Sequence, residues 1–412
     1  MRHITRTFML TMALSSAALA VMPALAQEKI ARIGILAPIS GGAAADGQDT
    51  QQGATLAVEE INAAGGVNGY KLEIAVADTR DLGPAAVTSA VERLLSDEGV
   101  NMVMTGYASA SNFEIEAMAE AGMPYFLAGN SAQTAEIVAE APDDFPTIWS
   151  FAPSYDLYET GIMPVIERWQ SEKKLTLANK KIAFITSDNP YSKSIYEGMM
   201  EDAKARGWEV TATEVVPFGE INDWRAFLSK TRQDPPAVIV NTDYLPGNAA
   251  TFTSQFLENP TQSLVFIQYA PTVPEYLELT KEKATGIITS TMIGVLPNER
   301  AAATNKAYKA RYGIDASTYA QALYEMVYIY RDILAAGVDP TDRLAVAKAI
   351  GEVKDRVTAL GIVSFDPKTH LAVAGDDFMP LQIFQVWDGK RVLLSPARWA
   401  DGELQTAPWL KK

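Results

Sequence analysis

The chain contains no cysteine. That excludes a disulfide framework, a thiolate metal site and lipid attachment at a processed N-terminus, so stability has to come from buried apolar area. Histidine is almost as scarce: His3 and His370 are the only two, which leaves little material for a Ser-His-Asp device or a histidine-rich metal centre. His370 follows the turn signal Asp366-Pro367 and reads as a solvated surface residue. Basic residues are outnumbered, 35 Lys and Arg against 50 Asp and Glu, for a formal charge of -15. Phosphate backbones and anionic membrane surfaces are bound through clustered Lys and Arg, so nucleic acid is not expected as a partner. No GxSxG elbow, GxxxxGK(S/T) phosphate loop, HExxH pair or calcium-loop spacing occurs, and Gly41, Gly42 and Gly47 fail the dinucleotide spacing. Paired carboxylates alone can catalyse, but the missing signatures favour a binding protein over an enzyme, with no cofactor and no metal.

What is present is an ordinary globular composition of 412 residues, 48% hydrophobic and 21% charged. At ~100 to 200 residues per domain the length allows two to four domains, and two lobes are the simplest fit. Residues 1–26 have the form of a secretory signal peptide. Arg2 and Arg6 stand without an acid, residues 8–21 carry no charge, and Ala24-Leu25-Ala26 supplies the small residues a signal peptidase reads. The run is shorter than the ~20 apolar residues of a membrane span, and no later segment reaches that length. The expected mature chain is acidic, begins at Gln27 and resides in the periplasm.

Strand-like and helix-like patterns alternate throughout. Residues 30–36 (IARIGIL) read as a buried strand, 51–63 (QQGATLAVEEINA) as a helix, 72–77 (LEIAVA) as a strand and 84–96 as a helix with Val87, Val91, Leu94 and Leu95 on one face. Residues 101–105, 124–127, 181–186, 237–241 and 264–268 repeat the strand theme, and the pattern restarts near 149–154. Strands apolar at every position and separated by helices predict parallel sheets covered on both faces, with right-handed crossovers. Near the C-terminus, 381–387 and 391–394 flank Asp388-Gly389 and predict a hairpin.

In open α/β sheets, ligands bind beyond the carboxyl ends of the strands. Two loops fit that place in the first half of the chain: Tyr107, Ser109, Ala110 and Ser111 after one strand, Gly129 and Ser131 after the next. Both offer hydroxyls and backbone N–H groups beside a helix start, suited to a carboxylate or carbonyl oxygen; simple capping by Ser111 or Ser131 is the alternative. In the second half, Tyr191, Tyr244 and Tyr269 each follow a strand in the same way and combine apolar area with a polar tip.

The segment IGILAPISGGAAADGQDTQQGATLAVEEINAAGGVNGYKLEIAVAD from Ile33 closely resembles the opening of type I periplasmic solute-binding proteins of the leucine/isoleucine/valine-binding kind, which serve ABC importers. Pro38, Ser40-Gly41, Gly47, Gly53, AVEEINAAGGVNG and Asp78 stand in register, and the likeness continues through 106–111, 124–131, 188–191 and 271–279 (PTVPEYLEL). The resemblance implies an α/β fold of two doubly wound parallel-sheet lobes, residues 27–152 with 288–361 and residues 153–287 with 362–412. Three hinge crossings near 151–154, 286–291 and 360–364 would let a monomer close around a ligand and present itself to membrane permease subunits. It places Ala110, its serine neighbours, Gly129 and Ser131 on ligand-carboxylate loops and Tyr191 and Tyr244 on second-lobe contacts. Where the family's amino-acid binders carry a glutamate for the ligand ammonium, this chain has Tyr269 or Ala270. The expected solute is a small polar molecule, an amino acid of branched-chain or related type, with Asp46 or Asp243 taking over that charge; the alternative is a ligand that lacks an ammonium, as short amides, urea and aromatic carboxylates do. A sensory ligand-binding module is the alternative role.

Overall fold

The structure, a computed structural model, describes residues 29–410 apart from residues 98 and 130 and the side chain of Ser131. The signal peptide expected over 1–26 lies outside the described residues. The first sheet holds β1 (Lys29–Ala37), β2 (Tyr70–Asp78), β3 (Val100–Thr105), β4 (Tyr125–Leu127) and β5 (Ile148–Ser150), all parallel, in the order β2-β1-β3-β4-β5. Its helices are α1 (Ala44–Ala63), α2 (Pro84–Ser96), α3 (Glu114–Glu120) and α4 (Ser131–Glu140). The second sheet contains β6 (Lys181–Ser187), β7 (Glu209–Val216), β8 (Val238–Asn241), β9 (Leu264–Ile267) and β10 (Ile288–Thr291). Between the sheets and along the second run α5 (Asp156–Thr160), α6 (Ile162–Ser171), α7 (Pro190–Ala205), α8 (Arg225–Gln233), α9 (Pro246–Glu258) and α10 (Pro274–Thr280). The chain then adds α11 (Glu299–Tyr312), α12 (Thr318–Ala335) and α13 (Arg343–Gly351) and a ribbon of β11 (Arg356–Val357) and β12 (Ile362–Val363). It ends in the hairpin β13 (Gln382–Trp387) and β14 (Lys390–Ser395), whose turn residues Asp388 and Gly389 both have positive φ. The second sheet reads β14-β13-β10-β9-β8-β6-β7.

The fully buried strands β3, β8 and β9 are the continuous apolar runs of the sequence, buried because helices cover both faces. α12 belongs to the first lobe. Tyr324 and Tyr328 donate to Glu60 on α1 at 2.6 and 2.9 Å, and a Cβ on Gly53 would stand 2.0 Å from the Ala320 carbonyl oxygen. Gly47 is equally constrained: its Cβ would lie 2.0 Å from the Pro38 carbonyl oxygen. The loop glycine of the sequence reading is thus a packing position inside α1, which starts at Ala44 rather than near residue 51.

Two expected boundaries move. β10 is a strand of the second sheet, hydrogen-bonded to β9 and β13, so the return to the first lobe begins after Thr291 rather than at 288. Residues 362–379 stay with the first lobe. Leu371 pairs in parallel with Ser150 of β5, and Phe365 packs against Phe126 and Trp149. His370 is corrected too. Only 6% exposed, it stacks on Trp149 with centroids 4.3 Å apart and places Nδ1 3.1 Å from the Ile148 carbonyl oxygen. The turn folds back onto β5, where the Ser150 amide donates to the His370 carbonyl, and burial lowers the imidazole pKa.

Candidate functional site

Strand order reverses between β1 and β3 in the first sheet and between β6 and β8 in the second, and the loops beyond these strands face each other. A cavity lies between the lobes at that place, lined by Tyr107, Tyr155, Tyr158, Tyr191, Tyr244, Tyr269 and Tyr319 with Ala128, Ala152 and Ile293. The rings close on a small cavity of about 20 Å³. They interlock mostly edge to face: Tyr107 on Tyr244 at 6.0 Å, Tyr155 on Tyr191 at 5.1 Å, Tyr191 on Tyr244 at 5.5 Å, the arrangement favoured by aromatic quadrupoles. Tyr107 and Tyr319 come from the first lobe, the other five from the second. No charged side chain lines this cage among the described residues.

The charge stands one layer behind. Asp46, 3% exposed in the first turn of α1, accepts from the Tyr107 hydroxyl at 2.8 Å and from the Tyr269 hydroxyl at 3.0 Å. One phenol belongs to each lobe, so the carboxylate bridges the cleft. Burial pushes its pKa up to about 7 against the lowering effect of both phenols, with Asp49 and Glu275 adding repulsion. Tyr269 reaches it from a sharp turn: φ 58°, ψ -56°, with the Ala270 amide donating to the Gln268 carbonyl at 2.6 Å. That is a γ-turn of the rare positive-φ form, a strain of order 1–3 kcal/mol that persists where surrounding structure fixes a functional side chain.

A family profile described as periplasmic binding protein matches residues 30–390. This chain belongs to the periplasmic binding protein family. The Leu/Ile/Val-binding protein homolog 8 of Brucella abortus (strain 2308) is 30% identical over 219 residues, 52% of this chain and 51% of the relative, so the match spans about half that relative's length. Homolog 3 of Brucella melitensis is 25% identical over 366 residues, 87% of this chain and 92% of the relative. Among solved structures, a putative branched-chain amino acid ABC transporter from Silicibacter pomeroyi superposes with a TM-score of 0.82 at 30% identity, covering 93% of this chain and all of that one. The substrate binding protein LivJ from Streptococcus pneumoniae, in complex with isoleucine, gives 0.71 at 22% identity, covering 89% of this chain and 100% of that one, and shares the type I fold.

In this periplasmic binding protein the expected site residues fall into two groups. Tyr107, Tyr191, Tyr244 and Tyr269 line the cage, and Asp46 backs it. Ser109 turns away: its hydroxyl donates to Glu114 at 2.6 Å and accepts from the Asn112 amide at 2.8 Å, closing the turn before α3. Ser111 is exposed and Ala110 half-buried, both outside the cage lining. Gly129 makes room for Tyr319, whose hydroxyl a Cβ there would meet at 2.8 Å. Ser131 opens α4, its side chain outside the description. Asp243 lies behind the cage wall, where one oxygen accepts from the Leu245 amide and from Asn248, both at 3.1 Å; burial pushes its pKa up to about 6. Sequence reasoning missed Tyr155, Tyr158 and Tyr319. The first two follow the restart at 149–154 and carried a usable signal; Tyr319 sits some 190 residues from its lobe's other loops and becomes a neighbour only through the packing of α12 on α1.

Proposed function

We propose that this protein is the periplasmic solute-binding component of an ABC importer: a monomer that closes its lobes around one small molecule in the tyrosine cage and presents the closed form to permease subunits in the inner membrane. A cleavable leader over residues 1–26 would deliver it there, and no catalytic step is part of the role. The observation that carries the reading is the cage itself, built by both lobes at their strand-order reversals, where closure and ligand capture become one event. Relatives named as Leu/Ile/Val-binding proteins support the class of role.

For the solute, the geometry favours a planar or apolar molecule without an ammonium, an aromatic carboxylate foremost. Seven rings offer stacking area and phenol donors suited to a carboxylate, while both oxygens of the nearest acid are taken by Tyr107 and Tyr269. A branched-chain amino acid is the second reading: Asp46 sits behind two cage phenols whose oxygens can relay its charge, and phenol faces attract cations by ~0.5–2 kcal/mol. Thermal shift of the protein lacking residues 1–26 against aromatic carboxylates, short amides, urea and α-amino acids separates the two. A ligand at about 100 times its Kd adds ~2.7 kcal/mol, a shift of several degrees. Stabilisation by aromatic carboxylates with leucine inert is the expected result; stabilisation by leucine or isoleucine alone overturns the solute assignment and leaves the amino-acid reading.

A further inference from the structure

Two passages of the chain between the lobes form part of the cage. Ala152 follows β5, Ile293 follows β10, and both line the space between the rings. The floor on which a solute would rest is thus made from segments about which the lobes would have to turn.

The passage after β10 is tied down along its length. The Met292 amide donates to the Tyr158 hydroxyl at 2.7 Å, and the Ile293 amide donates to Thr291 Oγ1 at 3.2 Å. The Gly294 carbonyl accepts from Nε2 of Gln382 at 2.6 Å. Gln382 opens β13 and pairs with Thr291 across the second sheet, and a Cβ on Gly294 would stand 2.5 Å from its Oε1, so a side chain there would push the clasp apart. Tyr158, Thr291 and Gln382 all belong to the second lobe. The Leu296 amide donates instead to the Ala359 carbonyl at 2.9 Å, and the amide of Ala359 donates to Glu325 on α12 of the first lobe. The backbone changes lobes over Val295.

Of these partners only Tyr158 also lines the cage. Its ring packs on Tyr155 at 5.1 Å and on Tyr191 at 6.4 Å, while its hydroxyl serves the Met292 amide and lies 3.5 Å from Thr291 Oγ1. A buried amide deprived of its acceptor is costly, so this bond holds the passage to the second lobe. We propose that Tyr158 is a positioning residue for lobe closure, making residues 292–294 a rigid continuation of β10 so that the lobes turn about Val295. The inference rests on the reading of this protein as one whose lobes close. Its consequence for binding is geometric. Ile293 moves with the second-lobe tyrosines, so the wall they form keeps one shape in the open and closed states, and a solute meets a half-site whose ordering cost is already met. Tyr107, Tyr319 and Ala128 then arrive with the first lobe.

The chain has no cysteine, so Ser89→Cys on α2 of the first lobe and Glu220→Cys after β7 of the second, both exposed, take spin labels at those places alone. Pulsed electron paramagnetic resonance of the ligand-free protein lacking residues 1–26 then reads the distribution of distances between the lobes. Tyr158→Phe, which keeps the ring and removes the acceptor, is expected to make that distribution about twofold wider. Tyr276→Phe is the matched control. Its phenol is also buried and is bonded to Thr253 at 2.8 Å within the second lobe, so its loss should lower the melting temperature and leave the width unchanged. Thr291→Val, which deprives the Ile293 amide of its acceptor, is expected to widen the distribution too and serves if Tyr158→Phe folds poorly. Equal widths in the parent, Tyr158→Phe and Thr291→Val overturn the proposal. Equal widening in Tyr276→Phe overturns it as well, because any lost phenol would then act alike. Failure of the solute-binding reading shows separately, as no thermal shift with any solute while the contrast in widths persists.

Discussion

At Asp46 two phenols, one from each lobe, meet one carboxylate. Hydrogen bonds to a charged group contribute ~1.5–3 kcal/mol, and the one from Tyr269 exists only while the lobes are closed. Tyr269→Phe keeps the ring in the cage and removes that bond. Calorimetry should find ligand affinity about tenfold weaker, with the melting temperature of the ligand-free protein little changed. A marked loss of stability at unchanged affinity would instead make Tyr269 a packing residue. Gln268, buried beside it, holds the strained turn from behind: Ser290 donates to its Oε1 at 2.8 Å and its amide donates to the Tyr191 hydroxyl at 3.4 Å. Tyr269, one of the two residues that the resemblance sets where the family's amino-acid binders carry an acid, is thus aimed at an acid of the other lobe.

At the scale of elements, the crossing of α1 over α12 decides whether the cage exists, because it alone brings Tyr319 to the loops after β3 and β4. Gly53 permits that crossing. Gly53→Ala places a methyl group against the Ala320 carbonyl and is expected to cost ~1–3 kcal/mol or more, as overpacking does. Gly247→Ala, on α9 with open space around it, should be neutral or gain up to ~1 kcal/mol from helix propensity. Urea unfolding of the two variants checks the contrast, and equal effects would mean that the α1–α12 contact is not tight. α1 begins without a side-chain cap; the carboxylate of Asp46 in its first turn answers the helix dipole instead.

For the whole molecule, the lobe closure proposed above would be tied to pH through the Asp46 carboxyl. In the closed form burial pushes its pKa up to about 7, while opening removes Tyr269 and returns the group toward water and its ordinary value near 4. The closed form therefore binds the proton more tightly. Its stabilisation is fully present below the ordinary value and is lost as pH rises through about 7, by up to about tenfold in the closing equilibrium per pH unit within that window. Small-angle scattering of the ligand-free protein should show the radius of gyration falling from pH 7.5 to pH 5. Asp46→Asn, which cannot ionise, should flatten that dependence, and a parent profile independent of pH would contradict the link.

Much of this was legible in the chain itself. Continuous apolar strands and intervening amphipathic helices specify covered parallel sheets through period and burial alone, and the Asp388-Gly389 hairpin through its demand for positive φ. Loops after strands marked Tyr107, Tyr191, Tyr244 and Tyr269, because the carboxyl end of a parallel strand is a local property of the pattern. The serines of the same loops could not be sorted from sequence, since a hydroxyl that caps a turn and one that meets a ligand have the same neighbours in the chain. Tertiary structure alone decided what depends on distant segments meeting: β10 in the second sheet, His370 beneath Trp149, Tyr319 beside Gly129, and Asp46 between phenols of opposite lobes. Hydrophobic periodicity acts within one element, whereas burial, the resulting pKa shift and the cage arise only where elements far apart in the chain pack together.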